Sequence, residues 1–485
     1  MTGPTFPQVS TLDQLRLLFL HNANTLGRGV VLARPRVNAL FTRLQADKRL
    51  VRLLDRLHEE HAGQPVWTSG ITGATLLVLS RSDVRRVLSG SDRLYAMATP
   101  LKRRMMGHFQ PDGVIITEGE LRESRRRFNE VVLDWGRDAH REAARFATVV
   151  NEEVEALLTG PRATGRPLSW RAIRRAFQRI GRRCVLGDVA AEDVEVSELL
   201  ETLRREGNWM GLRVWRRSRM HALRARFDDR IHRYIDVGQS GSLVGRFADL
   251  PIEARVHPSG QVAQWLMGFD TIAPLAARTL ALLSTHPWFL TAIEEEIADA
   301  DRFHHAGTAD SVLAMPHLKA TVLEAARLWP IVRDLARTVT RDTDWDGALL
   351  PEDAEVLMSL VYHGRAAYRG RAAHRFTPQQ WLDGSADNDW ALSPTSRGPA
   401  ACPGGDLGVF VATTAMAACV REARFRLLTQ ELRPDQPLPY SFDPFRLKFA
   451  VADRADTPPT VMVPMGPGGF GDLGDLGDIG ELDEG

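Results

Sequence analysis

The chain reads as a mainly α protein with a minor β-sheet, and three features of the sequence say so. Helical periodicity recurs at residues 152–158, 199–205, 221–234 and 290–300. Residues 262–283 are apolar on almost every side, the pattern of a helix threaded through the middle of a large core. Only two stretches carry strand signatures, Ala74-Thr75-Leu76-Leu77-Val78-Leu79 and Glu355-Val356-Leu357-Met358-Ser359-Leu360. At 485 residues, length alone suggests several domains, yet no linker divides the chain. Residues 1–463 are expected to form one domain. Residues 464–485, Gly-rich with a Gly-Asp-Leu repeat and no base, are expected to form a disordered acidic tail.

From the N-terminus onward, the first apolar run, residues 12–20, is broken by Asp13, Gln14 and Arg16 and is too short to span a bilayer, so no membrane anchor is expected there. Residues 118–127 concentrate arginine, and Arg122 and Arg126 fall on one helix face at i, i+4 spacing. The long apolar helix holds Asp270, Pro274 and Arg278 near its middle. These would be expensive in lipid, so the helix is placed in a protein core. Pro274 has no N–H and leaves the carbonyl of Asp270 without its helical partner, which predicts a kink. Further on, Glu324 and Arg327 share a face at i, i+3, followed by Leu328-Trp329-Pro330 and by Arg333 and Arg337.

The most informative segment is Gly398-Pro399-Ala400-Ala401-Cys402-Pro403-Gly404-Gly405-Asp406-Leu407-Gly408. Gly398 allows a tight turn ahead of the sulfur, and Gly404 and Gly405 let backbone N–H groups approach it. Residues 409–428 read as a helix whose N-terminus lowers the thiol pKa. A thiolate so presented is a candidate iron ligand.

Four marks in order, Gly268-Phe269-Asp270-Thr271, Glu324-x-x-Arg327, Phe376-x-Pro378-x-x-Trp381 and Gly398-x-x-x-Cys402-x-Gly404, make the chain resemble the cytochrome P450 superfamily of heme-thiolate monooxygenases, of soluble bacterial type, over about residues 70–463. The resemblance implies a triangular helical prism around a long central helix, and heme b with Cys402 as its axial ligand. Asp270 and Thr271 would deliver protons beside Gly268. Glu324 and Arg327 would be structural, and Arg122, Arg126 and Arg337 would hold the heme propionates. It also implies insertion of one oxygen atom from O2 into an apolar, natural-product-like small molecule, with walls from residues 96–111, 201–234 and 330–337 and from Trp265 and Phe269. Thr395 stands where the family usually has Phe, and Ala400 where it often has a basic residue; Arg397 is the nearest substitute. A peroxide-driven peroxygenase, or a non-enzymatic heme- or partner-binding protein of the same fold, are the alternatives.

Three cysteines, Cys184, Cys402 and Cys419, form no even disulfide framework and there is no signal-like start, which points to the cytoplasm. The net charge of +1 excludes a global nucleic-acid signature. The last twenty residues carry six acids, so the rest of the chain stands at +7. That charge would steer an acidic, ferredoxin-type electron donor, itself served by a reductase, to the basic surface over the cysteine, to which Arg125 and Arg127 are expected to contribute.

Overall fold

The computed structural model describes residues 5–454 except 72 and 252, so the acidic tail lies outside the described residues. Helix outweighs strand by 61% to 9%, which makes the fold mainly α with a minor sheet, as expected. Each predicted helix lies inside a longer one: Ala143–Thr164, Val194–Gly207, Arg217–Val237 and Pro287–His304. The sequence pattern marks where the apolar face is densest, while the ends extend to wherever a cap forms. Asp193, for example, accepts the N–H of Val196 at the start of Val194–Gly207.

The two predicted strands exist and pair with each other. Ala74–Leu77 runs parallel to Glu355–Ser359 with Leu76 opposite Val356. They form the middle of a five-stranded sheet whose order is Val66–Ser69, Ala74–Leu77, Glu355–Ser359, Asp334–Val339, Tyr95–Ala96. Asp334–Val339 brings Arg337 into this sheet opposite Val356. The hairpin of Thr343–Trp345 and Ala348–Leu350 turns on Asp346-Gly347, both at positive φ, the conformation that a two-residue turn requires.

The central helix, Ser259–Thr285, is 27 residues long and continues through Pro274, so the predicted kink does not interrupt it. Among the described residues it is the one helix long and apolar enough to cross a membrane, and most of it is buried inside the protein. It packs against Trp170–Leu186, against Gly405–Glu422 and against Pro316–Leu328. Polar groups fix its N-terminal half. The fully buried Gln261 donates to Asp112 O at 2.6 Å, while its carbonyl oxygen accepts from the N–H of Val114 and from Asn129. Trp265 donates to the Asn129 carbonyl at 2.7 Å. These bonds lock the arginine-bearing helix Gly119–Val132 onto the central helix.

Helix Pro316–Leu328 ends in a buried polar knot. The Glu324 carboxylate, inaccessible to solvent, pairs bidentately with Arg327 at 2.6 and 2.8 Å. It also accepts from the Thr377 N–H and hydroxyl, from Gln380 and from the Trp381 indole at 2.8–3.1 Å. Arg327 uses its remaining N–H groups on the carbonyls of Gly364, Ala372 and Arg375. The segment around Phe376 is thereby tied to the helix, which explains why Trp381 follows Phe376 at that spacing.

Two expectations follow. Glu324→Ala strands a buried guanidinium and should cost about 3–5 kcal/mol, read as a large drop in urea midpoint; removing the exposed Asp299–Arg302 pair should change stability by about 0.5 kcal/mol or less. Burial pushes the imidazoles of His140 and His374 down to about 4 and that of His363 down to about 3. Between the ordinary histidine value near 6.5 and those values the unfolded chain binds more protons, so stability falls as pH drops through this window. Chemical denaturation from pH 7 to 4 should show that fall, with proton uptake on unfolding.

Candidate functional site

A single continuous cavity of about 1590 Å³ runs from Cys402 to the N-terminal segment. This exceeds the roughly 300–1,000 Å³ of a usual small-molecule site, so it has room for a cofactor and a second ligand together.

Its floor is the cysteine loop. Gly398 has φ +72°, and a Cβ there would lie 2.3 Å from Leu88 O, so only glycine fits the turn. Gly404, at φ −98° and with Leu133 Cδ1 at 3.6 Å from a built Cβ, carries no such requirement. The Cys402 N–H donates to Thr395 O at 2.9 Å, and the Gly404 N–H is directed at the sulfur. Cys402 is exposed as a residue and lines the cavity. Burial pushes the thiol up, against the opposing pulls of the Gly404 N–H and Arg126. The expected lowering by the helix N-terminus is therefore outweighed. That helix is Gly405–Glu422, starting four residues before the predicted run and giving way to strand Ala423–Leu427 within it.

The central helix supplies another wall. A Cβ at Gly268 would meet nothing within 4 Å, so the backbone there is open to the cavity. The Thr271 hydroxyl, which lines the same space, donates to Gly268 O at 2.6 Å. Asp270 also reaches the cavity lining, and its carboxylate is held by Arg204, with Gln178 at 3.5 Å and Arg174 at 3.6 Å. It is thus a link between the central helix and the helices of residues 170–207 as well as an acid beside Thr271.

Cations gather at one side. Arg122 is bound bidentately by Asp92 at 2.7 and 2.8 Å and donates to Val114 O, so its donors are committed. Arg126 pairs with Glu130 at 2.6 Å and donates to Ala401 O beside the cysteine, but its Nη2 is buried without a partner. Arg337, fully buried, bonds Ser91, Ala336 O and Ser396, and makes no ion pair among the described residues. Burial pushes it down to about 10. Lys102 was missed in the sequence: its ammonium donates to Met97 O at 2.7 Å and Ala336 O at 3.1 Å, and it likewise has no ion pair. Burial, with Arg337 adding to it, pushes Lys102 well below the usual lysine range. A solitary lysine gave no periodic signal; only the fold brings it to Arg337.

These residues fit a heme. The cavity has the room, the sulfur faces it, and an orphaned guanidinium nitrogen together with two unpaired cations suits a dianionic edge such as two propionates. Arg397 is turned away, donating to Leu392 O, Asp387 O and Ala386 O. Arg125 is buried on Asp112, Thr117 and Val256 O and so is not on the surface over the cysteine, whereas Arg127 is exposed. The predicted wall segments all contribute, through Met97, Leu101, Glu201, Arg204, Phe269 and Val332 among others. Parts of residues 21–38 and 440–445 also line the cavity, and nothing in their pattern announced it.

Residues 262–444 match the family model described as Cytochrome P450. Over 150 residues the chain is 33% identical to the mitochondrial 25-hydroxyvitamin D-1 alpha hydroxylase of Mus musculus, covering 30% of this chain and 29% of that protein. Over 157 residues it is 29% identical to cytochrome P450 52-M1 of Starmerella bombicola, covering 29% and 28%. The chain thus spans less than a third of the length of these curated relatives. Two solved structures share the fold: retinoic acid-bound cyanobacterial CYP120A1, with TM-score 0.68, 14% identity and coverage of 82% of this chain and 93% of that one, and CYP102L1, with 0.69, 17%, 83% and 94%. The matched region holds Gly268 to Thr271, Glu324, Arg327, Arg337 and Cys402.

Proposed function

We propose that the protein is a heme-dependent monooxygenase that inserts one oxygen atom of O2 into an apolar, natural-product-like small molecule, with electrons from a ferredoxin-type partner and its reductase. The observation that carries the reading is the presence, in one cavity, of the Cys402 sulfur and of the open backbone at Gly268 with the Thr271 hydroxyl beside it. Bound through a cysteine thiolate, heme supplies the electron push that favours O–O cleavage.

The chain's own groups do the rest. Cys402 would hold the iron through its sulfur. Arg126, Arg337 and Lys102 would hold the propionates, with Arg122 bracing that side through Asp92. Thr271 holds a proton donor toward the cavity, and Asp270 passes protons to it once Arg204 releases the carboxylate. Glu324 and Arg327 keep the cysteine side of the fold in place. Gly398 and Gly404 shape the loop on either side of the sulfur. The Asp270–Thr271 pair favours O2 over peroxide as the oxidant.

Beside the cysteine loop, Arg126 donates to Ala401 O and lies 5.0 Å from the ring of the exposed Trp135; Arg127 is exposed on the same helix, while the exposed Arg137 and Arg141 pair with the buried Asp134. This is the surface proposed for an acidic electron donor. Three unpaired cysteines fit a reducing compartment, and the proposed location is the cytoplasm. The soluble bacterial type belongs to this reading and is supported by the likeness in fold to a cyanobacterial protein.

The test is turnover under 18O2 with a ferredoxin and reductase supplied. One labelled oxygen should appear in the product. Thr271→Ala should cut product per O2 by about tenfold or more, with peroxide rising in its place. Unlabelled product, or full coupling in the variant, would contradict the reading.

A further inference from the structure

Five neutral amide side chains line the cavity, and four of them are held at both ends. Asn22 pairs with His21 Nδ1 at 2.8 Å and donates to Ser69 O. Asn38 accepts from Arg28 at 2.7 Å and lies against the Asp443 carboxylate. Asn129 is spent on Arg125 O, Gln261 and Trp265, and Asn208 on the backbone of Val31 and Leu32. The fifth, Gln264, is half-buried, and only its carbonyl oxygen is engaged, accepting from Gln110 Nε2 at 3.1 Å. Its amide nitrogen makes no hydrogen bond among the described residues.

Gln110 fixes which end is left over. It is buried, and its Nε2 is shared between the Gln264 oxygen and the Met106 sulfur, the latter at 3.2 Å. Turning both amides over would put a buried N–H group where the Gln110 oxygen now lies without a partner, and buried unmet donors are the less tolerated of the two. Gln264, Gly268, Thr271 and Leu275 all line the cavity, and their spacing of four, three and four residues puts them on one face of Ser259–Thr285. Gln264 therefore stands one helical turn, about 6 Å along the axis, from the open backbone at Gly268. Trp265 and Met267 beside it and Met106 on Gln110 make the adjoining wall largely apolar. In such surroundings an unpaired amide N–H is costly, and an acceptor brought to it is correspondingly favoured.

We infer that Gln264 is a specificity-determining residue: its free N–H group donates to a neutral oxygen of the substrate, a ketone, ester or ether, and so presents the carbons about one helical turn from that oxygen to Gly268 and Thr271. The inference rests on the monooxygenase reading and narrows its substrate class. The bond discriminates because a hydrocarbon in the same place leaves the amide unmet. A neutral amide does not offset the desolvation of an ion, which leaves an uncharged acceptor as its partner.

The test uses heme-loaded protein and two rings of matched shape, cyclododecanone and cyclododecane. Binding is measured by equilibrium dialysis and by the shift of the heme absorption band, and the carbonyl stretch of the bound ketone is read by infrared difference spectroscopy. Gln264→Leu should weaken the ketone about five- to tenfold, the size of one neutral hydrogen bond, and leave cyclododecane within about twofold. Gln264→Met, close in volume and equally without a donor, should do the same. The carbonyl stretch should lie lower in the native complex than in either variant. A variant that binds the ketone as tightly as the native chain, an equal loss for both rings, an unmoved carbonyl stretch, or a native chain that binds neither ring would overturn the inference while leaving the heme reading standing. Heme uptake is measured before either ring is added, and its failure would overturn the parent reading and this inference with it.

Discussion

The Glu324 carboxylate organises the site without touching it. It is sealed from water and accepts six hydrogen bonds, from Arg327 twice, from Thr377 twice, and from Gln380 and Trp381. A buried carboxylate is tolerated only when its lone pairs are filled and its charge is matched; here Arg327, three residues along, matches the charge, and the remaining lone pairs draw on residues more than fifty positions away. The cost of leaving any of them out forces the segment of residues 364–381 against helix Pro316–Leu328. The chain then enters the cysteine loop about twenty residues later from a fixed point, and strand Asp334–Val339, which leaves the same helix, carries Arg337 to the cavity.

Charge balance governs the cavity in the same way. Most of its arginines are neutralised by a named acid, so the exceptions carry information. Where Lys102 and Arg337 stand together with the orphaned nitrogen of Arg126, the protein alone leaves its cations uncompensated and lowers their basicity by burial. A dianionic edge resolves that imbalance.

Much of this was legible in the sequence because it rests on local rules. The central helix followed from a long run that is apolar on almost every side, the two inner strands from β-branched and aliphatic stretches, and the cysteine loop from its bracketing glycines, of which Gly398 proves sterically obligatory. The illegible parts depend on long-range packing. Lys102 has no meaning until Ala336 and Arg337 lie beside it. Arg125 and Arg126 are neighbours in one arginine string, yet one is consumed by Asp112 and the other faces the cysteine loop, a difference set by helix rotation. The thiol is raised by burial where local reasoning from a helix N-terminus predicts lowering, because desolvation by the surrounding core is the larger effect. The lining from residues 21–38 comes from a segment whose sequence shows only a broken amphipathic start.

The proposed chemistry depends on the sulfur of Cys402 as an iron ligand. The most direct measurement is the absorption spectrum of the ferrous–carbonyl form of heme-reconstituted protein, for the native chain and for Cys402→Ala. The native protein should show the red-shifted band of a thiolate-ligated center, and the variant should lack it. A native spectrum without that band, or a variant that keeps it, would rule out Cys402 as the ligand.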